Sequence, residues 1–383
     1  MTSNGVKLLY IAPIRLPTEK AHGIQIMETC GALSRAGADV ELLVTDRKTP
    51  IKDDAFDFYN IKTKFNITRL HTPDTVSYGR LGYLFYVIFF GLRAALYARR
   101  ARADVVYTRD PVTFCIFSVV GIRPLAWEVH TAHPGVPRAI LRTALGVVPI
   151  TRGLAAWYGA RGVPAGSLHV APDAVDLQAF SKVDREAART SLRSRLGMPP
   201  GGKIALYVGS FGLYAWKGVD IAKQAAEFLP EVTWLFVGGS AKECEELTHE
   251  ATPNVRTLPR AGRCEIPTLL SGADVLLLPN KSGDPASERD TSPMKLFEYM
   301  ASGVPIVASD ISSLREVLDE NVAFLVPPNE PKALAGGVRR ALAEVSEASA
   351  KAGRAQSAAA SYTWDRRAEN LLAFLQRRIT MRS

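Results

Sequence analysis

Only four cysteines occur in 383 residues, Cys30, Cys115, Cys244 and Cys264, and no two of them form a CxxC pair. That spacing excludes a disulfide framework and a zinc knuckle, and it leads us to expect a reducing compartment, the cytoplasm. Long hydrophobic runs are missing too. The apolar stretch Leu81 to Leu92, LGYLFYVIFFGL, has 12 residues, against the roughly 20 that a membrane-spanning helix needs. Met1 to Pro13 lacks the apolar core and small-residue cleavage site of a signal peptide and reads, from Lys7 onward, as a strand. Helix-turn-helix, ribonucleoprotein and zinc-finger patterns are absent, and a formal charge of +9 is mild for this length. Nucleic acid is therefore not an expected partner. The loop Ala12 to Gly23, after the first strand, has no GxGxxG, which argues against a dinucleotide-dependent dehydrogenase.

What is present is globular. Hydrophobic residues make up 47% and charged residues 22%, which excludes disordered and low-complexity classes, and the length reads as two domains. The positive charge is concentrated early: residues 1–180 hold 21 Lys and Arg against 14 Asp and Glu, a balance of +7. Arg80, Arg93, Arg99, Arg100 and Arg102 flank or follow the apolar stretch, which carries Tyr83, Phe85, Tyr86, Phe89 and Phe90. Two readings stand: a buried helix with a basic end, or a helix lying at the surface of an anionic membrane through residues 80–102.

Short apolar runs alternate with helical patterns along the chain. The expected strands of a first series are KLLYIA (7–12), VELLVT (40–45), DVVYT (104–108), LAWEVH (125–130), GVVPI (146–150) and LHVAP (168–172). A second series comprises IALYVG (204–209), TWLFVG (233–238), VRTL (255–258), DVLLLP (274–279), VPIVAS (304–309) and AFLVP (323–327). Near-continuous apolar strands separated by helices predict parallel sheets covered on both faces. The fold class is therefore α/β, with two Rossmann-like, doubly wound domains facing a central cleft. Residues 1–178 are expected to form the first domain and 179–362 the second, with 363–383 a terminal helix crossing back to the first. Ligands of such sheets bind beyond the carboxyl ends of the strands.

The richest segment is Ser287 to Asp310, SERDTSPMKLFEYMASGVPIVASD. Ser292 suits an N-cap and Pro293 a first helical position, predicting a helix to about Ser302 that ends at Gly303. Backbone amides of Met294, Lys295 and Leu296 at its start would hold a phosphate or diphosphate. Asp290 and Glu298 beside that anion provide acceptors for hydroxyls, a combination suited to a ribose and a sugar.

This segment resembles the retaining glycosyltransferases of family 4, which have the GT-B fold and two glutamates separated by seven residues. Asp290 and Glu298 keep that spacing, with Asp in the first place. YVGSFGLYAWKGVD (207–220) is similar to the family's loop that supplies an Arg and a Lys to the donor diphosphate; Lys217 matches the Lys, and Ser210 stands where Arg is common. WEVH (127–130) looks like the strand-end element whose His, here His130, contacts the donor sugar. AHGIQIMETCGALSRAG (21–37) resembles the first glycine-containing loop and helix, where Gly23 would let backbone approach the donor phosphates. VAPDAVDLQAF (170–180) resembles the pre-linker phrase, with Asp173-Ala174 in place of Asn-Gly, and YTWDRRAENLLAFL (362–375) the segment that crosses back. Arg260 to Ile266 lies where the family's loop meets the base.

The resemblance implies metal-independent transfer of a sugar, with retention, from a UDP- or GDP-linked donor to a hydroxyl of a saccharide or lipid-linked acceptor, without a further cofactor. His130, Asp290 and Lys217 would be the catalytic residues. Gly23, Ser210, Lys217, Ser292, Met294, Lys295, Leu296 and Glu298 would line the donor site. The expected place is the cytoplasm, peripheral on the inner face of the membrane. The alternatives are a sugar-nucleotide epimerase of the same fold and a non-catalytic nucleotide-sugar-binding protein.

Overall fold

Six strands form the first sheet: β1 (Lys7–Ile11), β2 (Asp39–Thr45), β3 (Asn66–Leu70), β4 (Val105–Thr108), β5 (Leu125–Val129) and β6 (Gly146–Pro149). Their order is β3-β2-β1-β4-β5-β6, and every neighbouring pair is parallel. The second sheet holds β7 (Lys203–Val208), β8 (Val232–Gly239), β9 (Val255–Pro259), β10 (Val275–Leu278), β11 (Ile306–Ser309) and β12 (Phe324–Val326). It runs β12-β11-β10-β7-β8-β9, again parallel throughout. Parallel neighbours cannot be joined by a tight hairpin, so the chain crosses over through helices that cover both faces. The computed structural model describes residues 5–212, 214–249 and 251–381. The outermost residues of the 1–178 and 363–383 segments, and Leu213 in the 207–220 motif, lie outside the described residues.

Contacts divide the chain into two compact units, Met1–Pro172 with Trp364–Ser383, and Asp173–Thr363. In the first, Leu9, Ile11, Val106, Leu125, Trp127 and Val147 from the strands meet Phe90, Phe114, Phe117 and Leu154 from the helices. Phe114 stacks on Trp127 with ring centroids 4.4 Å apart. The second sheet is buried on both faces, against Leu296, Phe297 and Met300 on one side and Ala222, Leu334 and Val338 on the other.

Three expectations change. Residues 168–172 make a single bridge, Val147 to Leu168, instead of a strand. The strand β3 is an addition, an edge strand with partly exposed residues. The apolar run 81–92 belongs to a helix of 23 residues, Gly79–Ala101, so the argument from a 12-residue run does not hold: by length and composition alone the stretch Val76–Ala101 is long enough to cross a membrane. One face of that helix, Gly82, Tyr86, Phe90, Ala94 and Ala98, is buried at four-residue spacing. Gly91 lets it close on the helix Pro111–Val119, since a Cβ there would stand 2.6 Å from Ile116 Cδ1. The other face leaves Leu81, Tyr83, Leu84, Phe85, Ile88, Leu92 and Leu96 exposed, Leu81 by 81%.

The helix Trp364–Thr380 lies in the first unit and packs along the helix Ala21–Arg35. Its Phe374 ring stacks on His169 at 5.0 Å. Arg378 anchors its far end, donating to the Leu145 carbonyl at 2.9 Å and to Ser167 Oγ at 2.8 Å.

Candidate functional site

In the second unit the strand order reverses between β7 and β10, which is where an open α/β sheet leaves a crevice for a ligand. Three segments converge on the carboxyl ends of these strands: the loop after β7, the loop after β10, and the helix Met294–Ala301. The loop after β7 is pressed against the residue that follows β10. At Gly218, φ is +69° and a Cβ would fall 1.7 Å from the Pro279 carbonyl oxygen, so only glycine fits. Lys217, immediately before it, is thereby fixed in place and donates from Nζ to Ser210 Oγ at 2.6 Å. Burial holds the Lys217 ammonium below the ordinary lysine range.

The helix begins one residue later than expected. Pro293 is the N-cap, extended at φ −78° and ψ 128°, and no side chain caps the helix. Ser292 Oγ instead accepts from the Asp173 amide at 3.1 Å. Of the three expected donors, the Leu296 amide is taken by the Pro293 carbonyl at 2.9 Å. The amides of Met294 and Lys295 remain as the open donors of the first turn, at the positive end of the helix.

Both carboxylates stand at this crest, buried, and each has an arginine. Arg289 Nε is 2.6 Å from Asp290 Oδ1, and Arg263 NH1 pairs with Glu298 Oε1. A ligand whose hydroxyls donate hydrogen bonds to these carboxylates therefore meets side chains already oriented by an arginine. Two further buried groups have no hydrogen-bond partner, Lys295 Nζ and Asn280 Oδ1. Arg289 and Asn280 are additions to the set expected from sequence, and Arg263, inside the 260–266 segment expected near the base, is the residue of it that reaches Glu298. Each lies on a loop that follows a strand or precedes the helix, and that position is the signal that points to them.

In the first unit, Glu128 sits on β5, inaccessible to solvent. It accepts from Gln25 Nε2 at 2.6 Å, Tyr107 OH at 2.5 Å and His130 Nε2 at 2.6 Å, and pairs with Arg367 NH2 at 3.1 Å. Arg109 donates to Gln25 Oε1 at 2.7 Å. Burial alone would raise the Glu128 carboxyl, but Arg367 and His130 hold it well below the usual carboxylate range. Burial, reinforced by the Arg109 charge, lowers His130 to about 4. At neutral pH the imidazole is thus uncharged, with Nε2–H on Glu128 and the Nδ1 lone pair available. His22 is likewise lowered to about 4 by burial and then by Arg109.

Gly23 is placed differently from the expectation. It lies inside the helix Ala21–Arg35, its amide donates to the Lys20 carbonyl at 2.9 Å, and a Cβ would stand 2.2 Å from the Tyr59 hydroxyl. Packing of Tyr59 requires the glycine there, and neither its amide nor open space is left for a phosphate. His130 and Gly23 belong to the first unit; Ser210, Lys217, Asp290, Ser292, Met294, Lys295, Leu296 and Glu298 are brought together in the second.

Residues 202–344 match the family model described as glycosyl transferases group 1. A D-inositol 3-phosphate glycosyltransferase of Xylanimonas cellulosilytica is 33% identical over 223 residues, 55% of this chain. The chain spans about half the length of that relative, 51%. Among solved structures, sucrose-phosphate synthase from Thermosynechococcus elongatus superposes with a TM-score of 0.79, covering 99% of this chain and 100% of that one at 20% identity. The Anabaena protein HepE in complex with UDP and glucose gives 0.73, covering 97% and 100% at 18% identity. These last two likenesses are of fold. The two six-stranded parallel sheets thus have the GT-B fold, and within them residues 202–344 are similar to the glycosyl transferases group 1.

Proposed function

We propose that the protein transfers a sugar, with retention of configuration, from a UDP- or GDP-linked donor to a hydroxyl of a saccharide or lipid-linked acceptor. One observation carries this reading: the open helix start at Met294 and Lys295, the Lys217 ammonium and the buried carboxylates Asp290 and Glu298 stand on one crest of one sheet. A nucleoside diphosphate sugar needs cations and amides for its phosphates and paired acceptors for two sets of hydroxyls. In this reading Glu298 takes the ribose hydroxyls and Asp290 those of the transferred sugar. Lys217 and the helix start stabilise the charge that develops on the departing diphosphate. This reading also keeps the neutral His130, steadied by Glu128, as a residue of the transfer step.

The exposed face of the helix Gly79–Ala101 supports an acceptor presented at an anionic membrane. Its apolar and aromatic residues lie beside Arg80, Arg93, Arg99, Arg100 and Arg102, a pattern suited to the headgroup boundary. The cytoplasm, at the inner face of the membrane, is the place this reading assigns.

The test of the proposal is release of nucleoside diphosphate from a panel of UDP- and GDP-sugars, followed with wild-type protein and with Lys217→Ala. The reading expects one class of donor to be consumed and the substitution to slow it at least ~10-fold. Consumption of no donor, with or without saccharide or lipid-linked acceptors, would count against it.

A further inference from the structure

Taking an ammonium out of water costs several kcal/mol unless hydrogen bonds or an opposite charge compensate. Lys295 Nζ is shut off from solvent and has no hydrogen-bond partner. Its contact is the ring of Tyr207 on β7, 3.8 Å from the centroid. A methionine would fill that space without the penalty, so packing alone does not account for an amine.

The surroundings are short of negative charge. The Tyr207 hydroxyl reaches the Ser210 carbonyl at 3.5 Å, and the Ser210 hydroxyl holds Lys217 Nζ at 2.6 Å. Two lysines therefore meet there, Lys217 on the loop itself and Lys295 from the helix, and the Lys217 charge acts on Lys295. The charged and titratable groups facing Lys295 are Lys217 on that loop, Glu298 further along its own helix, and Tyr207 on β7. Glu298, the anion among them, is already paired with Arg263. Two cations beside an uncapped helix start, with no anion among the described residues assigned to them, match a multivalent anion.

We infer that the Lys295 side chain is a second cation for the donor diphosphate, acting with Lys217 where the loop after β7 offers only the hydroxyl of Ser210. The inference rests on the nucleotide-sugar reading above and adds to it a residue whose backbone amide alone was assigned there. Burial and then the Lys217 charge hold the Lys295 ammonium well below the ordinary lysine range. An arriving diphosphate reverses that balance: Nζ takes a proton from solvent, donates to a phosphate oxygen, and returns the proton when the diphosphate leaves. Binding and proton uptake are thus coupled.

The experiment is titration calorimetry with UDP and GDP at mildly alkaline pH, in buffers of different ionisation enthalpy, on wild type, Lys295→Met and Lys295→Arg. The wild type should take up protons as nucleotide binds. Lys295→Met should lose that uptake and bind about 10- to 100-fold more weakly, with a thermal midpoint no lower than the wild type's, which shows that it folds. Lys295→Arg, which keeps a cation but cannot change its charge, should lose the uptake and retain more of the affinity than Lys295→Met. Wild-type binding with no proton uptake, or with uptake and affinity unchanged in Lys295→Met, would overturn the inference while leaving the nucleotide-sugar reading in place. No binding of either nucleotide by the wild type would overturn both.

Discussion

Arg367, from the helix Trp364–Thr380, places its guanidinium 3.1 Å from Glu128 at the end of β5, and neither side chain is open to solvent. Arg367 also donates to the Pro172 carbonyl at 2.9 Å and to Thr29 Oγ1 at 3.2 Å, so one residue ties the last helix to the strand that carries His130. Removing the cation leaves a buried carboxylate without its main counter-charge. Arg367→Met is therefore expected to lower unfolding free energy by about 3–5 kcal/mol, measured by urea denaturation. In a double-mutant cycle, adding Glu128→Gln should recover part of the loss.

Acid should destabilise the first unit through His22 and His130. Each is lowered from 6.5 to about 4 in the folded protein. Between those values the unfolded chain binds the proton and the folded one does not, so their contribution is intact above about pH 6.5 and is lost as pH falls toward 4. At pH 5 the loss is up to about 2 kcal/mol for each residue. Denaturation midpoints across this range should show it, and His22→Asn or His130→Asn should flatten the dependence.

Gly218→Ala tests the loop geometry separately from its charge. The new Cβ would collide with the Pro279 carbonyl and occupy a positive φ. The loop must then move and carry Lys217 with it, at a cost of about 1–3 kcal/mol. Nucleotide affinity should fall although no charged group is removed; an unchanged Kd in calorimetry would show that the position of Lys217 does not matter.

Membrane docking is read from the apolar face of the helix Gly79–Ala101. Vesicles containing anionic lipid should carry the protein upward in a flotation gradient, and neutral vesicles should carry less. Leu81→Asp with Phe85→Asp should leave it at the bottom, because both residues are exposed, on the side of the helix away from the buried Gly82, Tyr86, Phe90, Ala94 and Ala98.

The two parallel sheets are legible in the sequence because strands buried on both faces must be apolar at nearly every position, as IALYV and VLLL are here. Asn66–Leu70 escapes that pattern since an edge strand with exposed residues needs no continuous apolar run. LHVAP shows the converse: an apolar run does not make a strand where only Leu168 is in register with a neighbour. In the site, the spacing of Asp290 and Glu298 is readable along one segment, whereas their partners differ in kind. Arg289 is adjacent, but Arg263 comes from 35 residues away, and nothing in local pattern joins it to Glu298. Glu128 is an instructive case. A lone carboxylate inside LAWEV demands a buried counter-charge, yet only the fold reveals that Arg367, far along the chain, supplies it.

Binding of a nucleoside diphosphate sugar at the crest of the second sheet underlies the proposed function. The most direct measurement is a thermal shift of wild type and Glu298→Ala with UDP, GDP and their common sugar conjugates, since a ligand of the folded state raises the midpoint by mass action. The account predicts that one nucleotide class raises the wild-type midpoint and that Glu298→Ala largely loses the shift. No shift with any of these nucleotides, or an undiminished shift in Glu298→Ala, would contradict it.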